Sequence, residues 1–388
     1  MGREGLGPDL LDRPGGQRHR DPRGHEPREL NQAVTKRWKQ RPGGSNWGEF
    51  GPDDSLGRLN LIGPEQVHKG IAEVRDGLVF SLSLPLDLPG RTVLNPNRFP
   101  PMVRPSLRAG AVNFNCSMDV AIPGATDVMS DDLVVLHTQY STQWDAFGHA
   151  GAVFDADADG LAEQVYYNGW RAGIDVVGPD GPEAAGITSL ADLAGADEGR
   201  ASTSHAGPVD VSHMACHGVQ GRAVLVDLEA HLGARRSVVD FATFEAILEA
   251  DDVHVEPSDM LVLHTGFARE VLAQNGCPAA GSLDVAAVLD GGDPRLHDWI
   301  RDSDIAAIAA DNYAVEAFPP VRHVDGTPAL PLHELCLFRL GVHLGELWWL
   351  SDLAAYLRRH NRSRFLLTAP PLRLPGATGS PLTPIATV

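Results

Sequence analysis

Residues 223–264 read AVLVDLEAHLGARRSVVDFATFEAILEADDVHVEPSDMLVLH, and their order decides the fold class. Ala223 to Asp227 is a β-branched apolar run, Phe241 to Ala250 has helical spacing, and Met260 to His264 is a second apolar run ended by Thr265-Gly266. Short apolar runs of this kind suit buried strands. The pattern continues downstream, where His297 to Arg301 reads as helix and Ile305 to Ala309 as a strand opening into Asp311-Asn312. It continues upstream as well. Pro64 opens an amphipathic helix through Val67, Ile71 and Val74. Phe80 to Leu86 alternates apolar and small residues as a strand, with Pro85 marking an edge position, and Asp132 to Leu136 reads as a short buried strand. Strands separated by helices predict an α/β chain.

Composition narrows the function. The chain has 388 residues, 43% of them hydrophobic, and a formal net charge of −19, which argues against nucleic acid or an anionic membrane as partner. No apolar run approaches the roughly 18 residues of a membrane span, and no secretory leader is visible, so the expectation is a cytoplasmic protein acting on a small molecule. Cys116, Cys216, Cys277 and Cys336 form no CxxC pair, which fits free thiols rather than a zinc ribbon. Residues 1–44 are rich in Arg, Gly and Pro and carry about +4, ten Lys/Arg against six Asp/Glu. They are expected to be a disordered extension, leaving 45–388 as one catalytic domain.

Three groups of residues could carry chemistry. Gln139, Gln143, Asp145 and His149 lie within eleven residues and could hold a cation or a polar substrate group. His333 and Glu346 sit in apolar surroundings, where each needs a partner; they could pair with one another or complete a metal site. Asp311, Asn312 and Glu316 follow a strand at its carboxyl end, where α/β folds commonly place functional groups, although Asx-turn chemistry accounts for them equally. Asp155-Ala-Asp-Ala-Asp-Gly160 is an acidic turn, because Tyr166 stands where a calcium loop needs its last carboxylate. No GxSxG elbow, P-loop or GxGxxG is present, which weakens serine hydrolysis and nucleotide binding.

In order along the chain, these pieces resemble the putative cyclase family, which includes bacterial kynurenine formamidase and isatin hydrolase. The resemblance rests on Asn46-Trp-Gly-Glu-Phe-Gly-Pro-Asp-Asp-Ser-Leu-Gly-Arg-Leu-Asn60, on Ser141-Thr-Gln-Trp-Asp-Ala-Phe-Gly-His149 and on Val255-Glu-Pro-Ser-Asp-Met-Leu-Val-Leu-His-Thr-Gly266. Leu332-His333, Gly345-Glu346 and Gly379-Ser380-Pro381 complete it. It implies a swivelling β/α/β-type fold with a mixed β core flanked by helices, and a homodimer or higher homo-oligomer, for which Trp348-Trp349 could supply an apolar patch.

The family's signature, His-x-Gly-Thr-His-x-Asp, supplies its metal ligands. This chain has Gln139 and Gln143 at the two histidine positions and keeps Asp145, as in relatives with Thr-Gln-Trp-Asp. The resemblance makes His149 the general acid/base, with Asp145 and Glu346 as its catalytic partners. It makes Asp145, His333 and Glu346 the metal ligands, joined by Gln139 and Gln143. Gln139, Gln143, Trp144 and Phe147 are expected to contact substrate. The oxygen-rich set favours manganese or magnesium over zinc, and a metal-free site is the other outcome. The expected activity is hydrolysis of a small amide, lactam or lactone. The alternative is a non-hydrolytic cyclase, dehydratase or isomerase of natural-product biosynthesis on the same scaffold.

Overall fold

Nine strands of one mixed sheet run through the computed structural model, which describes residues 37–186, 202–279, 281–321 and 324–388. They are β1 (Val79–Ser81), β2 (Gln143–Asp145), β3 (Gln220–Asp227), β4 (Met260–His264), β5 (Ala307–Ala310), β6 (His343–Glu346), β7 (Arg364–Thr368), β8 (Gly379–Pro381) and β9 (Ile385–Thr387). Their order across the sheet is β1-β9-β7-β3-β4-β5-β6-β2-β8. The central four, β3 to β6, are parallel, and every pairing outside them is antiparallel.

Alternation along the central strands feeds two cores, one on each face. Val224, Val226, Leu261, Leu263 and Ile308 enter one; Ala223, Leu225, Met260, Val262 and Ala309 enter the other. Among the described residues eight α-helices accompany the sheet: α1 (Pro64–Ala72), α2 (Val211–His217), α3 (Leu228–Leu232), α4 (Phe241–Ala250), α5 (Phe267–Ala273), α6 (Pro294–Asp302), α7 (Pro331–His333) and α8 (Ser351–Arg359). Asp240 and Asp293 accept the Thr243 and Arg295 amides, each at 2.9 Å, and so fix where α4 and α6 begin. Among the described residues no helix is long and apolar enough to cross a membrane.

Four expectations need correction. Only Phe80 and Ser81 of the Phe80–Leu86 stretch are strand, in Val79–Ser81 at the sheet edge; Leu82 and Leu84 turn inward as buried loop residues because the chain leaves the ladder before Pro85. Asp132–Val135 is a strand, but an exposed one paired with Met102–Pro105 away from the main sheet. Trp348 is fully buried, edge-on to Trp144 at 5.0 Å, so it belongs to the core and not to a surface patch. Half-buried Trp349 donates to Asp352 at 2.8 Å.

The fourth correction concerns the start of the domain. Residues 1–36 of the expected extension lie outside the described residues, but Trp38 is 5% exposed and packs edge-on against Trp47 at 5.7 Å. The Lys39 amide donates to the Ala156 carbonyl at 2.8 Å. The folded unit therefore includes residues 37–44, ahead of the expected boundary at residue 45. Trp38→Ala should lower the free energy of unfolding by about 3–5 kcal/mol in chemical denaturation, the range for deleting a buried aromatic ring. A change under about 0.5 kcal/mol would show that the 37–44 stretch is not part of the fold.

Candidate functional site: three carboxylates and two histidines

Strands β2 and β6, the loop after β2 and helix α7 meet toward the β6-β2-β8 end of the sheet. Gln143 stands directly opposite Glu346 in the β2/β6 ladder, and Asp145 opposite Leu344, so period 2 puts Gln143, Asp145 and Glu346 on one face. Gln143 Nε2 donates to Glu346 Oε2 at 3.1 Å across the strands. Trp144 points to the other face. It is fully buried, donates to the Ala369 carbonyl at 2.8 Å, and covers Gly345 so closely that a Cβ there would lie 2.9 Å from the ring. Trp144 is thus core rather than substrate wall. Phe147 is also fully buried, stacked on His343 at 4.1 Å, and is corrected in the same way. His343 Nδ1 donates to the Asp145 carbonyl at 3.0 Å, and burial pulls its pKa down to about 4.

His333 reaches the same face from α7. Its Nε2 lies 3.3 Å from Glu346 Oε1, and its Nδ1 lies 2.9 Å from Glu316 Oε1. Glu316 is fully buried and also accepts the amides of Leu332 and His333, both at 2.9 Å. It therefore caps the start of α7 and orients the imidazole with one carboxylate. The room comes from Gly291, where an added Cβ would fall 1.8 Å from Glu316 Oε2. After α7 the chain continues as a π-helical turn, Glu334–Leu340, a departure that often accompanies functional sites. The Asn46–Asn60 segment clamps this turn: Asn46 Nδ2 donates to Leu340 O at 2.8 Å, Trp47 Nε1 to Phe338 O at 2.7 Å, and the Arg58 amide to Gly341 O at 2.7 Å.

His149 and His333 face one another with ring centroids 6.2 Å apart, and His149 Nε2 lies 3.8 Å from Asp145 Oδ1. Asp145, His149 and His333 can each offer a ligand atom such that all three lie within 4.8 Å of one another. Asp145 is fully buried, and neither of its oxygens has a hydrogen-bond partner; Gln143 Oε1 is also buried and unpaired. An unpaired buried carboxylate beside two imidazoles forms a set that a divalent cation satisfies, and Gln143 Oε1 is a further unpaired oxygen two residues away on the same strand.

The other predicted residues take supporting places. Gln139 turns its amide nitrogen to His149 Nδ1 (3.5 Å) and Thr378 Oγ1 (3.2 Å), while its oxygen accepts from Thr138 at 2.7 Å, so that oxygen is not aimed at the group. Both Glu346 oxygens are engaged, by His333 and Gln143. Asp311 accepts from Thr265 and Gly266, and Asn312 bonds Ala287 and Val315; both stabilise turns. Asp155 accepts the Asp159 and Gly160 amides in its own acidic turn. Sequence reasoning missed Arg98, a loop residue without motif. It donates to the Gln139 carbonyl at 2.7 Å, and its charge acts on both Asp145 and His149.

The electrostatics follow from burial. Desolvation, then repulsion from Glu346, raises Asp145 to about 8. Desolvation, then the His333 charge, lowers His149 to about 3, so it is neutral at pH 7. Burial alone would also lower His333, but its hydrogen bonds to Glu316 and Glu346 overcome this and hold it at about 10. A cleft of about 750 Å³ opens beside His333, lined by Ala152, Phe154, Tyr166, Leu330 and Phe338, and these residues supply the apolar wall.

A family model described as Putative cyclase matches residues 80–317 of this chain. The chain belongs to the putative cyclase family. A crystal structure described as a novel cyclase is 30% identical, with a TM-score of 0.64 over 89% of this chain and 97% of that one. Isatin hydrolase A from Labrenzia aggregata, bound to benzyl benzoate, is 14% identical with a TM-score of 0.49, covering 84% of this chain and 98% of its own. Isatin hydrolase A from Ralstonia solanacearum is 14% identical with a TM-score of 0.48, covering 82% and 95%. Curated protein sequences give no match. In this cyclase-family chain the matched region contains Gln139 to His149 and Glu316, and it ends before His333 and Glu346.

The raised acid and base make stability depend on pH in one direction. Without a cation, folded Asp145 keeps its proton to about pH 8, whereas an unfolded aspartate loses it near about 3.9. Between those values the folded chain binds more protons, so stability falls as pH rises. His333 adds to this: its stabilisation is complete below about pH 6.5 and is lost as pH rises through about 10. Chelated protein should therefore melt at progressively lower temperature from about pH 7 to pH 9, above the range up to about pH 6.5 in which His149 and His343, both held neutral by burial, act in the opposite sense. A saturating divalent cation should raise the melting temperature most at the upper end. A flat profile in chelator would contradict the unpaired Asp145 carboxylate.

Proposed function

We propose that this chain is a hydrolase that opens a small amide, lactam or lactone, and that a divalent cation works beside His149. The observation that carries this reading is the fully buried Asp145 carboxylate, unpaired at both oxygens and flanked by His149 and His333. Asp145 and Gln143 Oε1 would hold the cation together with His333 Nε2 once that nitrogen gives up its proton and its contact with Glu346, a mainly oxygen set that favours manganese or magnesium over zinc. When bound, such a cation polarises a carbonyl and lowers the pKa of water.

The chain's own residues supply the rest. His149 is neutral and the least buried member of the group, so it meets the substrate and can move a proton from water to the leaving atom. Gln139 fixes the ring at Nδ1, and Glu316 with Glu346 fixes His333 from both nitrogens. Phe154, Tyr166 and Phe338 exclude water from a flat or apolar substrate in the adjoining cleft.

A second reading is favoured by a different observation. Gln139 and Gln143 replace imidazoles, and Gln143 already occupies Glu346. Asp145 at about 8 is then a carboxylic acid at neutral pH, able to donate a proton without any metal. That chemistry suits a cyclase, dehydratase or isomerase.

Two measurements separate the readings: elemental analysis of purified protein, and turnover of a panel of small lactams, lactones and aryl amides before and after chelation. Hydrolysis lost on chelation and restored by manganese supports the first. Water-independent turnover that survives chelation supports the second, and stoichiometric zinc that resists chelator overturns the metal preference. Asp145→Ala and His149→Ala should each cut kcat/KM by roughly 10²- to 10⁴-fold. Glu316→Gln should lower metal affinity and activity by roughly 10- to 100-fold while the protein stays folded. Unchanged metal affinity in that variant would remove Glu316 from the site.

A further inference from the structure

A second polar cluster lies on the other face of the same sheet, outside the group around Asp145. Asp227 ends β3 and His264 ends β4, and the two stand directly opposite one another in the parallel ladder. Asp227 follows Leu225 by two residues and His264 follows Val262 by two, and both Leu225 and Val262 enter one core. Glu346 follows Leu344, which enters the other. Period 2 therefore puts Asp227 and His264 on the face away from Glu346.

Their geometry runs through the imidazole to a hydroxyl. The His264 side chain is 3% exposed. Its Nδ1 lies 2.8 Å from Asp227 Oδ1, and its Nε2 lies 3.2 Å from Ser351 Oγ. A carboxylate only accepts, so Nδ1 carries the proton of the neutral ring and Nε2 accepts from the Ser351 hydroxyl. The neighbouring charges are already matched, which leaves the ring free to be neutral. Arg358 binds the second oxygen of Asp227, and Arg269 binds both oxygens of Glu229. Asp311 accepts from the Thr265 amide and hydroxyl and from the Gly266 amide. Glu229 Oε2 and Asp311 Oδ2 stand 3.5 and 4.0 Å from Nε2, farther than Ser351.

Ser351 adds the two features that a nucleophile needs. It is half-buried, so its hydroxyl can be met from solvent while His264 and Asp227 stay dry. It is also the first residue of the nine-residue helix α8, where Leu350 at the cap position offers no side-chain acceptor. The Ser351 and Asp352 amides are thus left as donors beside the hydroxyl, at the positive end of the helix. Donors so placed suit an oxyanion. The chain lacks a GxSxG elbow, but a triad is recognised by the geometry of its roles and not by sequence position.

We propose that Ser351, His264 and Asp227 form a second hydrolytic centre, independent of the Asp145 group, that cleaves small esters. Ser351 Oγ bonds to the ester carbonyl carbon while its proton passes to His264 Nε2. The carbonyl oxygen takes up the electron pair and is held by the Ser351 and Asp352 amides. The bond to the alcohol oxygen then breaks, His264 returns the proton to that oxygen, and the acyl group stays on Ser351. Water repeats the step through His264, releasing the carboxylic acid and restoring the serine hydroxyl. Asp227 is a positioning residue, which holds the ring in the tautomer that the step requires. With only Ser351 of the three half-exposed, the centre suits short, unhindered acyl groups.

The test uses the full chain carrying Asp145→Ala, kept in chelator so that the first site is silent. Two probes are applied, p-nitrophenyl acetate and a fluorophosphonate, which bonds through phosphorus to an activated serine and expels fluoride. Peptide mapping should place one adduct per chain on Ser351, and the acetate should turn over. Adding Ser351→Ala should abolish both with an unchanged far-ultraviolet circular dichroism spectrum. Adding His264→Gln should slow labelling by roughly 10²- to 10⁴-fold. Adding Asp227→Asn should lower kcat for the acetate by a similar factor of about 10²- to 10⁴-fold and leave KM unchanged, since Asp227 never meets the ester. An unlabelled Ser351, ester turnover indifferent to Ser351→Ala, or full-rate labelling in His264→Gln would each overturn the proposal and leave the cluster as a strap between strand ends. The outcome is independent of the reading of the Asp145 group, because that group is disabled throughout.

Discussion

Charge balance in one buried pocket is the constraint on which the rest of this structure depends. Asp145, Glu316 and Glu346 are three carboxylates with almost no exposure, and His333 is the cation that pairs with two of them. An isolated buried charge costs several kcal/mol. The third carboxylate, Asp145, must therefore keep a proton or meet a cation, and its two bare oxygens leave room for either. The two proposed chemistries are the two solutions to the same imbalance. A bound metal gives Lewis-acid hydrolysis, and a retained proton gives acid catalysis.

The surrounding architecture keeps that imbalance from relaxing. Glu316 cannot swing away because it accepts three bonds from Leu332 and His333 and sits against Gly291. The π-helical turn after His333 cannot rewind because Asn46, Trp47 and Arg58 hold its carbonyls and the loop behind it. The conspicuous Asn46–Asn60 stretch thus fixes the segment that follows His333. Trp144 does the same from the far face of the sheet, where its ring packs on Gly345 and holds β2 against β6.

Much of the fold was legible because its signals are local. The β3–α4–β4 unit was read from apolar runs and helical spacing, and both α4 and β4 have the expected bounds. Other readings failed where local pattern and tertiary setting part. Asp132–Val135 has the composition of a buried strand, but it pairs with Met102–Pro105 away from the main sheet and is largely exposed among the described residues. Trp348 read as a surface patch and proved to be core, because a tryptophan beside a polar stretch has no periodicity to say which way it faces.

The sequence by itself determined the α/β class, the family, and the presence of Asp145, His149, His333 and Glu346 as chemistry-bearing residues, since each follows from residue type, spacing or motif. Only the tertiary structure decided what those residues touch. Glu316 became the partner of His333, Gln143 became bound to Glu346, Gln139 was turned toward His149, and Arg98 was added from a loop without a motif. The physical reason is that burial and hydrogen bonding are pairwise and long-range in the chain. Asp145 and Leu344 face one another across a ladder that joins segments about 200 residues apart, and no local pattern records which carboxylate is left without a partner when they meet.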